Sequence, residues 1–163
     1  MTNSSQLKIA KQNIKESLED FEGVEHRLEN VAKVRDVEYI NDSKATNVGA
    51  CLAALEGLDA PIILIAGGDG KGASFAPLAD VIEDKVSSLI LLGKDAQAFK
   101  KEAANNTPCD IVDSIEQAVQ LASQYAESGD TVLLSPACAS LDQFSSYQER
   151  GNRFIAAIES LES

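Results

Sequence analysis

The chain has 163 residues, enough for one domain that buries an ordinary core without metals or disulfides. Its 26 acidic and 14 basic residues give a formal charge of −12, which repels nucleic acid and anionic lipid. Three cysteines in no CxxC pair predict reduced thiols, and a single histidine excludes multi-histidine metal centres. No apolar run approaches the ~20 residues that span a bilayer. We expect a cytoplasmic protein with no membrane, nucleic-acid or metal partner.

The first predicted element is an amphipathic helix over residues 5–21, where apolar side chains recur at spacings of three and four. Gly23 ends it. We assign residues 1–23 to this N-terminal helix and residues 24–163 to the main domain. The helix has two interpretations that stay open: the tail of a preceding domain, or an ordinary helix that packs on the sheet.

Strand and helix patterns alternate along the rest of the chain. Residues 28–34 and 37–40 predict a hairpin around Arg35-Asp36. Further strands are predicted at 61–66, 87–92, 109–112 and 130–135, and helices near 47–57, 76–85, 95–104, 115–127 and 143–161. Strands that are apolar throughout, separated by helices, are typical of a parallel sheet covered on both faces. The predicted fold class is α/β: a Rossmann-like three-layer domain with a mostly parallel sheet and an antiparallel hairpin strand at the edge.

The chemically unusual residues follow the predicted strands. They form the segments NDSKATN (41–47), GGDGKG (67–72), GKD (93–95) and SPACASLDQF (135–144). Because ligands bind beyond the carboxyl ends of parallel strands, these segments predict a binding cleft at one rim of the sheet. Lys71, a cation in a strongly acidic chain, suits a carboxylate or phosphate ligand there.

Two phosphate-binding motifs compete for GGDGKG. It is not a Walker A loop, because Ile65 stands where the first glycine belongs and Gly72 where serine or threonine would hold magnesium. It matches the dinucleotide pattern G-x-G-x-x-A, but the predicted helix does not open at the turn. An NAD-dependent oxidoreductase domain therefore stays a minor alternative.

Several rim residues also have ordinary structural interpretations. Thr46 or Asn47 can cap the helix that follows them, and Asp42 can organise the turn before it. Ser140 and Gln143 spell a capping box for the last helix. These roles leave the lysine of NDSKATN unexplained.

Four motifs occur in order along the chain: HR (26–27), NDSKATN, GGDGK (67–71), and SPACASLDQF with RGNRF (150–154). Together they resemble the C-terminal, amino-acid-binding domain of the Mur ligases, from about residue 22 onwards. NDSKATN and SPACASLDQF are most similar to the D-glutamate-adding members of that family.

The resemblance implies an ATP-dependent ligase that joins D-glutamate to UDP-MurNAc-L-alanine through an acyl phosphate, with ATP and Mg2+ bound in the complete enzyme. It implies that D-glutamate is held by Thr46, Lys71, Ser140, Leu141 and, where the family has phenylalanine, Tyr147. It implies that the nucleotide is reached by Arg27, Asp42 and Lys44. No certain catalytic residue and no metal ligand is implied in this domain.

The phosphate loop G-x-x-x-x-G-K-[ST] is missing from the sequence. We therefore expect the chain alone to be inactive, to bind no ATP or Mg2+ itself, and to bind free D-glutamate weakly. UDP-MurNAc-L-alanine and ATP would engage domains outside this sequence, and we expect a monomer. The alternative is a stand-alone module that binds an acidic metabolite without chemistry.

Overall fold

The structure is a computed structural model that describes residues 25–162. The predicted helix over residues 5–21 lies outside the described residues. In the part of the chain that is described, no helix has the length and apolar character needed to cross a membrane.

Residues 25–162 contain six strands and five α-helices. The strands are β1 (Glu29–Val34), β2 (Val37–Asn41), β3 (Ile62–Gly67), β4 (Val86–Leu92), β5 (Cys109–Ile111) and β6 (Thr131–Leu134). The helices are α1 (Val48–Gly57), α2 (Ala79–Lys85), α3 (Ala96–Ala103), α4 (Ile115–Tyr125) and α5 (Tyr147–Glu162). A short 3-10 turn, Ala76–Leu78, precedes α2.

The sheet has the strand order β1-β2-β6-β3-β4-β5. β1 pairs antiparallel with β2, and every other pair of neighbours is parallel. Arg35 and Asp36 turn the hairpin with φ values of 54° and 65°, as two-residue hairpin turns require. The predicted α/β fold, with its mostly parallel sheet and antiparallel edge strand, is confirmed.

Helices cover both faces of the sheet. α1, α2 and α3 pack on one face, where Leu64 and Phe99 belong to one core cluster. α4 and α5 pack on the other, where Ile65 and Phe154 belong to a second cluster. Successive β3 side chains alternate between the two clusters, and all six β3 residues are buried. This explains why the strand is apolar throughout.

The last helix begins later than the sequence predicts. The capping box predicted at Ser140 is wrong, because the backbone after it forms a turn that buries the ring of Phe144. The same sequence pattern recurs at Ser146 and Glu149, where the Glu149 N–H donates to Ser146 Oγ at 3.0 Å. The Ser146 cap is the one that starts α5, with Glu149 Oε1 accepting from the neighbouring Ser145 N–H at 2.6 Å, and Ser140 is left in a loop.

Candidate functional site

Four loops meet at the carboxyl ends of the parallel strands. We name them by the strand they follow: the β2 loop (42–47), the β3 loop (68–75), the β4 loop (93–95) and the β6 loop (135–146). They contain every residue predicted to bind D-glutamate except Tyr147, which is the first residue of α5.

Backbone hydrogen bonds join all four loops, and the Asp95 N–H ties the β4 loop to the β3 loop by donating to the Gly68 carbonyl at 2.9 Å. The Ala137 N–H donates to the Ala45 carbonyl at 2.9 Å, which ties the β6 loop to the β2 loop. Asp69 and Ala139 exchange two backbone hydrogen bonds of 3.0 and 2.8 Å, which tie the β6 loop to the β3 loop. The segment 137–139 therefore lies between the β2 and β3 loops and holds them in register.

Three side chains predicted to bind D-glutamate lie within two residues of these backbone contacts. They are Thr46, Lys71 and Ser140. Asn47 caps α1 by accepting from the Ala50 N–H at 2.9 Å, so Thr46 is not needed as the cap. Within residues 25–162, the hydroxyls of Thr46 and Ser140 and the ammonium of Lys71 make no hydrogen bond or ion pair. Ser140 is only 4% exposed, and buried hydroxyls without a partner are uncommon.

The β3 loop presents Lys71 to solvent from a constrained backbone. Lys71 has φ 52°, in the left-handed region that costs a lysine about 1–2 kcal/mol. Its N–H donates to Asp69 Oδ1 at 2.9 Å, and the Gly70 N–H donates to Asp95 Oδ2 at 2.7 Å. A second cation, Lys94, comes within 4.0 Å of Asp69. The arrangement places positive charge at the rim of an acidic protein.

The remaining predicted pocket residues differ in exposure. Leu141 is 65% exposed, and its N–H has no hydrogen-bond partner within residues 25–162. The Tyr147 ring is half-buried between two neighbours: His26 meets its edge at 6.0 Å between ring centroids, and Lys44 Nζ lies 5.9 Å from its centroid. The β2 loop and the start of α5 are thus in contact.

Among the residues predicted to reach the nucleotide, Asp42 is turned inward. It is 5% exposed, and its carboxylate accepts from the Leu28 N–H at 3.1 Å and from Ser135 Oγ at 2.8 Å. Burial raises its pKa to about 6. The Asp42 carboxylate therefore ties the β2 loop to Leu28 and Ser135, and within the turn itself it is Asn41 Oδ1 that accepts from the Ser43 N–H, at 3.1 Å. Arg27 is exposed and Lys44 half-buried at the same rim.

Arg150, the first residue of the RGNRF motif, has no role predicted from the sequence. In the structure Arg150 is 2% exposed and donates to Ser43 Oγ, the Ser43 carbonyl and the Cys138 carbonyl at 2.9, 2.8 and 3.2 Å. The next residue is also constrained, because a Cβ at Gly151 would press on His26 Nδ1 and lie 2.8 Å from its Cε1. A glycine inside a predicted helix, directly after an arginine, was the sequence pattern that could have indicated this close packing.

The described residues provide neither a metal-binding group of side chains nor a reactive thiolate at this rim. Among the described residues 25–162, no three His, Cys, Asp or Glu side chains are grouped so that they could hold a metal ion. Burial raises the pKa of the Cys51 and Cys138 thiols to about 12, so both stay protonated and pack as small apolar groups.

The family model for the Mur ligase, glutamate ligase domain, matches residues 26–138. The chain belongs to this family. It is 50% identical over 144 residues to the UDP-N-acetylmuramoylalanine–D-glutamate ligase of Methylococcus capsulatus, a match that covers 88% of the chain and 31% of that ligase. The chain therefore spans about a third of the length of this relative.

Solved structures share the fold of this Mur ligase domain. UDP-N-acetylmuramate-alanine ligase MurC of Thermotoga maritima has a TM-score of 0.60 at 13% identity, covering 90% of this chain and 33% of that one. MurF ligase of Thermotoga maritima, in complex with ADP, has a TM-score of 0.56 at 14% identity, covering 83% and 32%. At these identities the likeness is one of fold.

Proposed function

We propose that this chain binds D-glutamate for an ATP-dependent ligase that joins it to UDP-MurNAc-L-alanine. The observation that supports the proposal most is the Ser140 hydroxyl, which is buried at the rim without a partner in residues 25–162. It lies in a loop whose backbone is joined to the loops that carry Thr46 and Lys71. The name of the Methylococcus capsulatus relative agrees with this substrate.

The chemistry of D-glutamate fits these groups. Each of its two carboxylates forms its strongest hydrogen bonds with a cation or with donors that aim at it from a fixed frame. Lys71 supplies the charge, Thr46 and Ser140 supply hydroxyls, and Leu141 supplies a backbone N–H. Tyr147 adds an aromatic wall. The chain would thereby hold the amine of D-glutamate in one orientation for attack on the activated carboxylate.

Arg27 and Lys44 are the groups that fit the nucleotide phosphates, because both carry positive charge at the rim. Asp42 supports them from inside by tying the β2 loop to Leu28 and Ser135. Within residues 25–162 no three His, Cys, Asp or Glu side chains are grouped to hold a metal ion, and Gly72 stands where a phosphate loop would have its metal-binding hydroxyl, so we place Mg2+ with ATP outside this chain. We therefore assign binding and orientation to this chain, and no metal-dependent step.

A grafted enzyme tests the proposal. This chain would replace the matching segment of the Methylococcus capsulatus ligase, and phosphate release would be measured with ATP, Mg2+, UDP-MurNAc-L-alanine and D-glutamate. We expect D-glutamate-dependent turnover that Lys71→Ala abolishes and that Lys101→Ala, at an exposed position on α3, leaves unchanged. Full turnover with Lys71→Ala would refute the assignment.

A second measurement separates this proposal from a general acidic-metabolite module. The 163-residue chain is titrated with D-glutamate, L-glutamate and D-aspartate while backbone amide shifts are followed. We expect weak binding, at millimolar concentrations, with D-glutamate preferred and the largest shifts at Thr46, Ser140 and Leu141. Equal responses to all three acids would favour the general module. Product formed by the chain alone would contradict a purely binding role.

A further inference from the structure

The buried guanidinium of Arg150 is the feature that the proposed function does not yet use. Three of its N–H groups donate to acceptors on two different loops: Ser43 Oγ and the Ser43 carbonyl in the β2 loop, and the Cys138 carbonyl in the β6 loop. Within residues 25–162 it forms no ion pair with a carboxylate. Burial lowers its pKa to about 10, so it stays charged at neutral pH.

A buried cation that forms no ion pair costs free energy, because it loses its hydration. Well-packed apolar side chains often replace buried charges with no loss of stability. What an apolar side chain cannot do is donate several hydrogen bonds in fixed directions from one planar group. The contacts of Arg150 use that property, because they reach two chain segments about a hundred residues apart in sequence.

The two segments that Arg150 joins carry different parts of the proposed site. Ser43 lies between Asp42 and Lys44 on the nucleotide side, and Cys138 lies two residues before Ser140 on the D-glutamate side. Ser43 Oγ also donates to the Tyr147 carbonyl at 2.8 Å, which brings the start of α5 into the same network. One side chain thus adds buried links between the two loops to the backbone bond from Ala137 to Ala45.

We propose that Arg150 is a positioning residue that locks the β2 loop to the β6 loop and so fixes Lys44 relative to Ser140. The proposal rests on the proposed function, because it concerns the two ligand-facing loops of that site. Arg150 touches neither ligand in this account. It acts through the backbone carbonyls that it holds.

Amide hydrogen exchange on the 163-residue chain tests the lock without any ligand. Arg150→Lys keeps the charge but offers a single ammonium, which cannot reach both loops with the geometry of the guanidinium. We expect the Lys44 amide, bonded to the His26 carbonyl, and the Ala137 amide, bonded to the Ala45 carbonyl, to exchange about tenfold faster or more. Amides in the central strand β3 should keep their protection.

Two control variants separate positioning from simple loss of charge or stability. Arg153→Lys changes an arginine on the same helix that pairs with exposed Glu116 and lies 5.2 Å from the centroid of the Phe144 ring. Since Arg153 contacts neither Ser43 nor Cys138, the exchange of the Lys44 and Ala137 amides should not change. Ile158→Ala removes a fully buried side chain of α5 and should lower the protection of all slow amides together. D-Glutamate titration should show affinity weakened about tenfold by Arg150→Lys and unchanged by Ile158→Ala.

The outcomes are distinct. Unchanged exchange at Lys44 and Ala137 in Arg150→Lys would overturn the lock, as would equal loss of affinity in Arg150→Lys and Ile158→Ala. If the parent chain gives no response to D-glutamate, the proposed function fails for this chain, and the exchange measurement alone decides whether the lock exists.

Discussion

Replacing Gly151 by alanine should destabilise the protein, although alanine is the better helix former. Gly151 lies inside α5, and its missing side chain leaves the space that the His26 ring occupies. His26 is 3% exposed and has little room to move. Its Nδ1 is hydrogen-bonded to Asn41 Nδ2 at 2.9 Å, and its ring meets the edge of Tyr147.

The magnitude follows from opposing contributions. Glycine to alanine in a helix interior stabilises by up to about 1 kcal/mol. Forcing a methyl group into a packed site costs about 1–3 kcal/mol, and breaking the His26–Asn41 hydrogen bond adds about 1 kcal/mol. We expect a net loss of about 2 kcal/mol in the free energy of unfolding, which for a chain of this size lowers Tm by roughly 4–8 °C.

A double-mutant cycle provides the assay. Chemical denaturation would compare Gly151→Ala in the parent chain and in a His26→Ala background, where the two nearest contacts of the new Cβ are removed and Asn41 Nδ2, at 3.1 Å and no longer bonded to the ring, can give way. There the sign should reverse, and the substitution should stabilise by up to about 1 kcal/mol. Gly49→Ala is the control: this helical glycine of α1 has only Asn47 Oδ1 near a new Cβ, at 3.5 Å, so it should stabilise in either background. A Gly151→Ala effect that is the same with and without His26 would refute the reasoning.

Three further substitutions probe the rim and the fold. Lys71→Gly should keep the free energy of unfolding within about 1 kcal/mol of the parent, because glycine adopts φ 52° without strain, and it should abolish D-glutamate binding in an NMR titration; retained binding would contradict the role of the cation. Lys85→Met should cost about 2 kcal/mol in urea unfolding, because Lys85 Nζ donates to the carbonyls of Leu55, Glu56 and Leu58 at the end of α1; exposed Lys101→Met is its control and should stay within about 0.5 kcal/mol. For Asp42, burial raises the pKa from 3.8 to about 6, so the folded protein keeps a proton that the unfolded chain loses, and this contribution to stability disappears as pH rises through that interval. Asp42→Asn should therefore gain about 2 kcal/mol on the parent between pH 4 and pH 7, and a constant difference would show that Asp42 does not titrate in this way.

The sheet and the helices that cover it could be predicted, because buried positions are recognisable in the sequence as apolar residues. A strand covered on both faces, such as β3, must be apolar at every position, and the helices between strands force parallel neighbours. The rim followed from the same logic, since loops after parallel strands share one edge. Lys71 could be placed at this rim from its position after β3, whereas the D-glutamate roles of Thr46 and Ser140 come from the family resemblance and stay predictions.

Side-chain direction could not be predicted, because it depends on contacts between distant segments. Arg150 and Arg153 lie on one helix with spacing that lets both share a face, yet one enters the core and the other pairs with Glu116 at the surface. Ser140 and Ser146 each begin a pattern typical of a helix start, yet only Ser146 caps a helix, and the segment after Ser140 forms a turn in which Phe144 is buried. Local sequence carries none of this information.

The position of β6 has a consequence for how the molecule is made. This strand is the last in chain order, but it occupies the middle of the sheet, between β2 and β3. Until residues 131–134 have been synthesised and inserted, the two halves of the sheet have no bonds to each other, and segment 137–139 cannot reach the loops that it joins. A nascent chain that stops before Thr131 should therefore expose two unpaired strand edges, which invite association with other chains. Assembly of the ligand-facing rim thus coincides with closure of the sheet, after the first five strands have been made.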